Sequence, residues 1–272
     1  MLVQLEGHAL RLLDPFRNRI VMIRRATLEN VLRMAEVFSK AMGLKDAEGA
    51  TEAFRTAIRF GMCLVAEDGE IMGTACLTPY TKVAWVGGVA VRPELQGRGI
   101  GRALVIRLLN LVRFPTVRLD ATEVGKHLYR KLGFSEEYRT VTYDLSWVHP
   151  THVETVEGLE DWMLELDKEA FGDDRSALLE TSGGIALKAE RGFGVLSRGL
   201  LGQVVAEDEG SAEAVIRGAV ALGARYLVAP SYRSGFLESI GAREVYRCTR
   251  MSLGRHREAS GLLYGIYGYM FG

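Results

Sequence analysis

The first 150 residues switch repeatedly between apolar positions at strand spacing and apolar positions at helix spacing. Ile20 to Arg24 is a short apolar run that predicts a strand. Thr27 then stands as an N-cap before a helix with Leu28, Val31, Leu32, Ala35 and Phe38 on one face, and a second helix is expected from Ala47 to Phe60. Cys63 to Ala66 and Ile71 to Leu77 read as strands joined by Glu67-Asp68-Gly69-Glu70, where Asp-Gly between apolar runs signals a hairpin. Val83 to Val91 is a further strand, nearly continuous in apolar and small residues. A glycine-rich loop follows, then a helix from Gly101 to Phe114, a strand from Thr116 to Leu119, a helix from Lys126 to Leu132 and a strand from Tyr138 to Trp147. The predicted order is β-α-α-β-β-β-α-β-α-β.

A boundary is expected at Val148-His149-Pro150-Thr151. Beyond it, Leu159, Trp162, Met163, Leu166 and Ala170 mark an amphipathic helix, and Arg175 to Glu180 a second. Strands at Phe193–Leu196 and Leu201–Ala206 flank the turn Ser197-Arg198-Gly199. A helix over Ser211–Leu222, a strand over Tyr226–Ala229, a helix over Gly235–Ile240 and a strand over Val245–Leu253 complete the list. That order is close to the first half's. Residues 128–139 also lie on residues 236–247 without a gap, so that Gly133 meets Gly241, Tyr138 meets Tyr246 and Arg139 meets Arg247. Together these predict a duplicated fold. The division expected is an N-terminal extension over 1–19, a first domain over 20–148 and a second over 149–272.

Charge and composition narrow the function classes. Lys plus Arg and Asp plus Glu each number 34, so no global field attracts nucleic acid. With 48% apolar and 25% charged residues the chain reads as a globular protein. The most apolar helix, Ala103 to Phe114, carries Arg107 and Arg113 and is too short for a bilayer. Arg11, Asp14 and Arg17 interrupt the place of a signal peptide's apolar stretch, so a cytoplasmic protein is expected. Cys63, Cys76 and Cys248 are scattered and read as reduced, buried thiols. His149 and His152 lie three apart around Pro150 with no completing ligands, so no metal is expected.

The chemistry lies in Gln96-Gly97-Arg98-Gly99-Ile100-Gly101. A short glycine-rich loop opening a helix aims backbone N–H groups at an anion from the positive end of a helix dipole. A P-loop is excluded, because no Lys-Ser or Lys-Thr follows the glycines. A dinucleotide fingerprint fails too, since counting from Gly97 or Gly99 puts Arg102 or Leu104 at the sixth place.

The stretch from Val89 to Leu104 resembles the acetyl-CoA motif of the GCN5-related N-acetyltransferases, (Arg/Gln)-x-x-Gly-x-(Gly/Ala), with Gln96, Gly99 and Gly101 in its fixed places. Leu128-Tyr129 with Gly133-Phe134 resembles the family's second signature, and the likeness covers roughly residues 20–147. The whole chain is similar to a subgroup with a second, diverged acetyltransferase-like domain. The resemblance implies an α/β fold of α+β type, in two tandem domains, each a mixed central sheet flanked by helices. It also implies that the backbone of Val89 and Val91 hydrogen-bonds the pantetheine arm and thioester of acetyl-CoA, that Gly97, Arg98, Gly99, Ile100, Gly101 and Arg102 hold its pyrophosphate, and that Ala90 and Gln96 belong to the same cofactor site.

Acyl transfer to an amine needs positioning, a route for the amine's proton and help for the leaving thiolate. A lysine-like amine with a pKa of about 10.4 costs about 4.6 kcal/mol to neutralise at pH 7. Tyr129 sits where the family places the phenol that protonates the thiolate. Asp120 and Glu123 are the candidate bases, with helix-cap or surface carboxylate as the alternative for each. At Thr122 the family more often has asparagine. In the second half Leu237 stands at the place of Tyr129, and Glu207-Asp208-Glu209 replaces the glycine loop, so one acyl-CoA per chain is expected.

Asp174, within Asp173-Asp174, and Arg175 are candidate acceptor contacts, against the alternative of a helix N-terminus. The aromatic tail, residues 261–272, packs on its own domain or on a partner subunit, which leaves a homodimer open. The favoured function is an N-acetyltransferase acting on a small-molecule or peptide amine. A non-catalytic acyl-CoA sensor and a partner-binding tandem domain are the alternatives. Neither a nucleic acid nor a membrane partner is expected.

Overall fold

The structure, a computed structural model, describes the chain apart from residues 1, 7–8, 15–18, 46, 182 and 256–259, with side chains described from residue 21. Two compact units emerge: residues 1–79 with 84–115, and residues 80–83 with 116–272. The expected extension lies partly outside the described residues. Its described parts form strands β1 (Leu2–Glu6) and β2 (Ala9–Asp14).

In the first unit, β1, β2, β3 (Arg19–Arg25), β4 (Met62–Asp68), β5 (Glu70–Pro79) and β6 (Val83–Val91) pair antiparallel in chain order. Helix α1 (Val31–Met42) packs on β5, and α2 (Glu48–Phe60) and α3 (Ile100–Leu111) pack on both β4 and β5. The chain enters α1 through a 3-10 turn at Leu28–Asn30, with the Thr27 N–H donating to Asn30 Oδ1 at 3.0 Å. The tighter winding takes Leu28 off the apolar stripe. The buried face is Val31, Met34, Ala35 and Val37, while Leu28 and Leu32, expected inside, are 64% and 63% exposed.

The thiols are a second correction. Cys63 and Cys76 lie directly opposite each other on β4 and β5, with Cα atoms 4.1 Å apart, and form a disulfide; only Cys248 is a free cysteine among the described residues. Spacing could not reveal the pair, because hairpin register decides which residues face each other.

The second unit holds β7 (Thr116–Ala121), α4 (Lys126–Lys131), β8 (Ser135–Asp144), β9 (Glu154–Val156), α5 (Asp161–Phe171) and α6 (Ser176–Glu180). After them come β10 (Ile185–Ala189), β11 (Gly192–Ser197), β12 (Leu200–Ala206), α7 (Glu209–Ala221), β13 (Tyr226–Pro230), α8 (Ser234–Ser239), β14 (Arg243–Gly254) and β15 (Leu263–Gly265). The strands line up as β7-β14-β8-β13-β12-β11-β10-β9, with β15 on β12. One core, including Val141, Tyr143, Leu227, Val215 and Leu237, gathers residues of β8, β13, α7 and α8. Another, including Met163, Phe193, Val228 and Ile266, gathers residues of α5, β11, β13 and the tail.

The last strand of each sequence half is thus exchanged. β14 lies between β7 and β8, and β8 pairs with β13. The β8–β14 register is its own mirror under the repeat: Tyr246 faces Thr142, Arg250 faces Tyr138, and Cys248 faces its own counterpart Thr140. Both bulges correspond as well, one at Glu137 and one at Val245. The short helices α4 and α8 close alike, with Phe134 N–H bonding Tyr129 O at 3.0 Å and Ala242 N–H bonding Leu237 O at 3.0 Å, across Gly133 and Gly241 at φ 91° and 101°.

β14 supplies one neighbour of β7 and one of β8. A chain cut to residues 1–148 is therefore expected to unfold at a lower urea midpoint than the full chain; circular dichroism in a urea series checks this.

Candidate active site

The loop of the first unit is shaped before it reaches its glycines. β6 bulges at Gly88 and Val89, where Thr74 pairs with Ala90 but Cys76 with Gly87. Gly88 has φ 59°, and its carbonyl accepts from the Thr74 hydroxyl at 2.7 Å. Sequence reading missed this bulge; the Gly87-Gly88 pair was its signal. Arg92 N–H bonds Met72 O at 2.9 Å, and the Arg92 guanidinium pairs with Glu70 at 2.6 Å.

Gly97 and Gly99 take φ 78° and 83°, a region that opposes any Cβ, and no atom lies within 4 Å of where a Cβ would stand on either. Gly99 is the N-cap of α3 and provides no side-chain cap. The N–H groups of Ile100, Gly101 and Arg102 therefore open the helix with no acceptor among the described residues. Buried Ile100, Ala103, Leu104 and Leu108 fix this helix, and Gly73 lets it sit close: a Cβ there would be 3.1 Å from Leu104 Cδ1.

These features suit a pyrophosphate, which uncapped N–H groups and a helix dipole can hold. The Gln96 side-chain amide donates to Val91 O at 3.1 Å. Arg98 reaches Glu94 O at 3.3 Å, and Arg102 is exposed. In the second half, α7 uses its own N-terminus differently: Asp208 caps it by accepting from Ser211 N–H at 2.7 Å.

In the second unit, Tyr129 of α4 is 6% exposed, its ring set edge-on to Phe134 with centroids 5.8 Å apart. Burial pushes its phenol well above the ordinary tyrosine range, so it holds its proton at neutral pH. No side chain among the described residues hydrogen-bonds its hydroxyl. Thr122 accepts from Gly125 N–H at 3.0 Å and shapes the loop that leads to α4.

Both candidate bases are engaged by cations. Asp120 is tied to the Arg250 guanidinium, at 3.2 Å from Nε and 2.9 Å from Nη2, and to the Thr140 hydroxyl at 2.9 Å. The side chains of Arg250 and Asp120 are 3% and 0% exposed. Glu123 is exposed, and Lys126 at 2.8 Å holds its carboxyl below the usual range.

Both acceptor candidates have packing roles. Arg175 is buried, bidentate on Asp167 at 2.8 and 2.9 Å, donates to Gly272 O, and lies over the Phe171 ring. Asp174 accepts from Ser176 N–H and Oγ at 3.0 and 2.8 Å, turning the chain into α6. Its neighbour Asp173 receives the N–H groups of Lys82 and Val83 at 2.6 and 2.8 Å. The residues that instead stand near the end of β7 are Cys248 and Tyr246 of β14, visible in advance only through the internal repeat.

With this geometry in place, the comparisons are consistent. The acetyltransferase (GNAT) domain family matches twice in tandem, over residues 59–136 and 163–265. A crystal structure of a Pyrococcus horikoshii protein assigned to the acetyltransferases is 35% identical, with a TM-score of 0.87, covering 93% of this chain and 96% of that one. The chain belongs to the GNAT acetyltransferase family, as two tandem domains of that fold. A GCN5-related N-acetyltransferase from Sphaerobacter thermophilus shares the fold at 15% identity and TM-score 0.59, covering 88% of this chain and 98% of that one.

Among curated proteins, a mycothiol acetyltransferase of Tsukamurella paurometabola is 39% identical over 87 residues, which is 28% of this chain and 29% of that protein. A glucosamine 6-phosphate N-acetyltransferase of Trypanosoma brucei brucei is 33% identical over 87 residues, 28% of this chain and 59% of that protein. The chain thus spans less than two thirds of either.

Removing one partner of a buried ion pair leaves the other charge uncompensated. Asp120→Asn is expected to destabilise the fold by roughly 3–5 kcal/mol, read as a lower denaturation midpoint.

Proposed function

We propose that this protein moves an acetyl group from acetyl-CoA to a primary amine, with one acyl-CoA held per chain. The observation that carries the reading is the start of α3: Gly97 and Gly99 in left-handed backbone, open space around them, and an uncapped helix N-terminus. The capped start of α7 supports a single binding loop. The two partial relatives are named for small molecules, mycothiol and glucosamine 6-phosphate, which favours a small-molecule acceptor over a peptide.

The bound thioester supplies the acyl carbon and the leaving thiolate. The neutral amine attacks that carbon, a C–N bond forms and the C–S bond breaks. Tyr129 gives its phenolic proton to the departing sulfur, and the surplus proton of the new ammonium returns to the phenolate. No carboxylate is needed for this balance, which suits the occupied state of Asp120. The raised phenol keeps the donor form available wherever the amine becomes neutral.

Titration calorimetry on the intact protein is the first test of the loop. One acetyl-CoA per chain is expected, with binding lost in Gly99→Glu, whose side chain brings a negative charge to the anion's place. Absence of binding to the folded wild type sinks the reading.

Tyr129→Phe is expected to lower kcat by about 100-fold with acetyl-CoA affinity unchanged. In the wild type, turnover at low amine concentration should rise about tenfold per pH unit between 7 and 9 as a lysine-like amine deprotonates. Tyr129 ionisation should produce no decline in that window. Full turnover in Tyr129→Phe removes the phenol from the mechanism.

A further inference from the structure

The internal repeat allows one place in the fold to be seen twice, once in each half. α4 and α8 correspond, so Val124 stands two residues before α4 as Tyr232 stands two residues before α8. Likewise Tyr246 corresponds to Tyr138, Thr142 to Arg250, and Leu237 to Tyr129.

In the copy beside Leu237 the space is filled. Tyr232 sets its ring edge-on to Tyr138 at 5.4 Å, and Arg250 donates to the Tyr138 hydroxyl at 2.8 Å while lying 5.3 Å from its ring centre. In the copy that belongs with Tyr129, both covering groups are cut back. Val124 replaces the tyrosine and is 87% exposed; Thr142 replaces the arginine.

Part of the vacated room is taken by the tail. Tyr269 bonds the Thr142 hydroxyl through its own at 2.8 Å and meets the Tyr246 ring edge-on at 6.3 Å. Tyr246 stays 46% exposed. The strand edge there is open as well, since β7 pairs with β14 only from Thr249 onward, and Ala121, opposite Thr249, ends β7 just before the loop to α4.

We propose that Tyr246 and Tyr269 form the wall that receives the acceptor, an amine carried on an aromatic or aliphatic group. The inference rests on the acetyltransferase reading above and names the substrate class of that site. Tyrosine rings favour an apolar body, and their faces attract an ammonium. The nearby carboxylates are already neutralised, Asp120 by Arg250 and Glu123 by Lys126, so the wall selects by shape and aromatic contact. The tail, which in sequence is only an aromatic stretch, becomes the part of the second half that sets specificity.

The test uses the intact protein with phenethylamine as probe, in wild type, Tyr246→Ala and Val124→Tyr. The second variant rebuilds the closed copy from an exposed position, so folding is not at risk. Each variant is expected to raise the KM for phenethylamine about tenfold, with acetyl-CoA affinity and the melting temperature unchanged. Unaltered KM in both overturns the wall and leaves acyl transfer standing. The wall is overturned equally if the wild type acetylates glucosamine 6-phosphate but neither binds nor acetylates phenethylamine.

Calorimetric titration of phenethylamine into CoA-saturated protein separates the two readings. Binding that Val124→Tyr abolishes, without turnover of any amine, keeps the wall and sinks the enzyme. A wild type that binds no amine and acetylates none overturns both.

Discussion

The antiparallel pairing of β8 with β14 is the constraint on which the second unit depends. It joins the final strand of each sequence half, and its register maps onto itself when the halves are interchanged. Every ladder bond in that pairing completes two copies of the fold at once. β7 has no other route to β8, and β13 no other route to β14. Buried charge is placed at the same seam: Arg250 comes from one half, Asp120 and Tyr138 from the other. Such an ion pair adds little by its own Coulomb energy after desolvation, but it penalises any register that separates the partners.

Against this symmetric frame, the two helix starts differ. α3 begins with glycine and leaves its first N–H groups open, while α7 begins with Asp208 and satisfies one of its own. A helix N-terminus can be closed by a side chain or left open, and the two halves have taken opposite options. The bulge pair differs in the same manner. Glu137 turns inward to Arg118 at 3.0 Å, while its counterpart Val245 is 55% exposed.

Much of the fold was legible because its signals are local. The Asp68-Gly69 hairpin, the long strand ending at Val91, the helix after the glycines and the duplicated order of elements all rest on short-range periodicity or turn chemistry. The glycine loop was legible for the same reason, since positive φ and an uncapped helix are written in consecutive residues. What stayed hidden depends on distant partners. The disulfide required the β4–β5 register, and the roles of Asp120 and Arg175 required knowing that Arg250 and Asp167 arrive beside them. A carboxylate at a strand end looks identical in sequence whether it faces a substrate or a guanidinium from 130 residues away. Leu28 and Leu32 were misplaced for a smaller reason, the 3-10 entry that rotates the start of α1.

The self-matching register of β8 and β14 also bears on ancestry and on dilution. A single-copy ancestor with this terminal strand would meet a second copy of itself through the same contacts, as a strand-exchanged dimer. Joining the copies end to end converts that encounter into an intramolecular one, at an effective concentration set by the connecting segment. The fold then completes at any protein concentration, and the copies are released from being identical. One keeps an open helix start and a cut-back loop, while the other keeps the sheet whole.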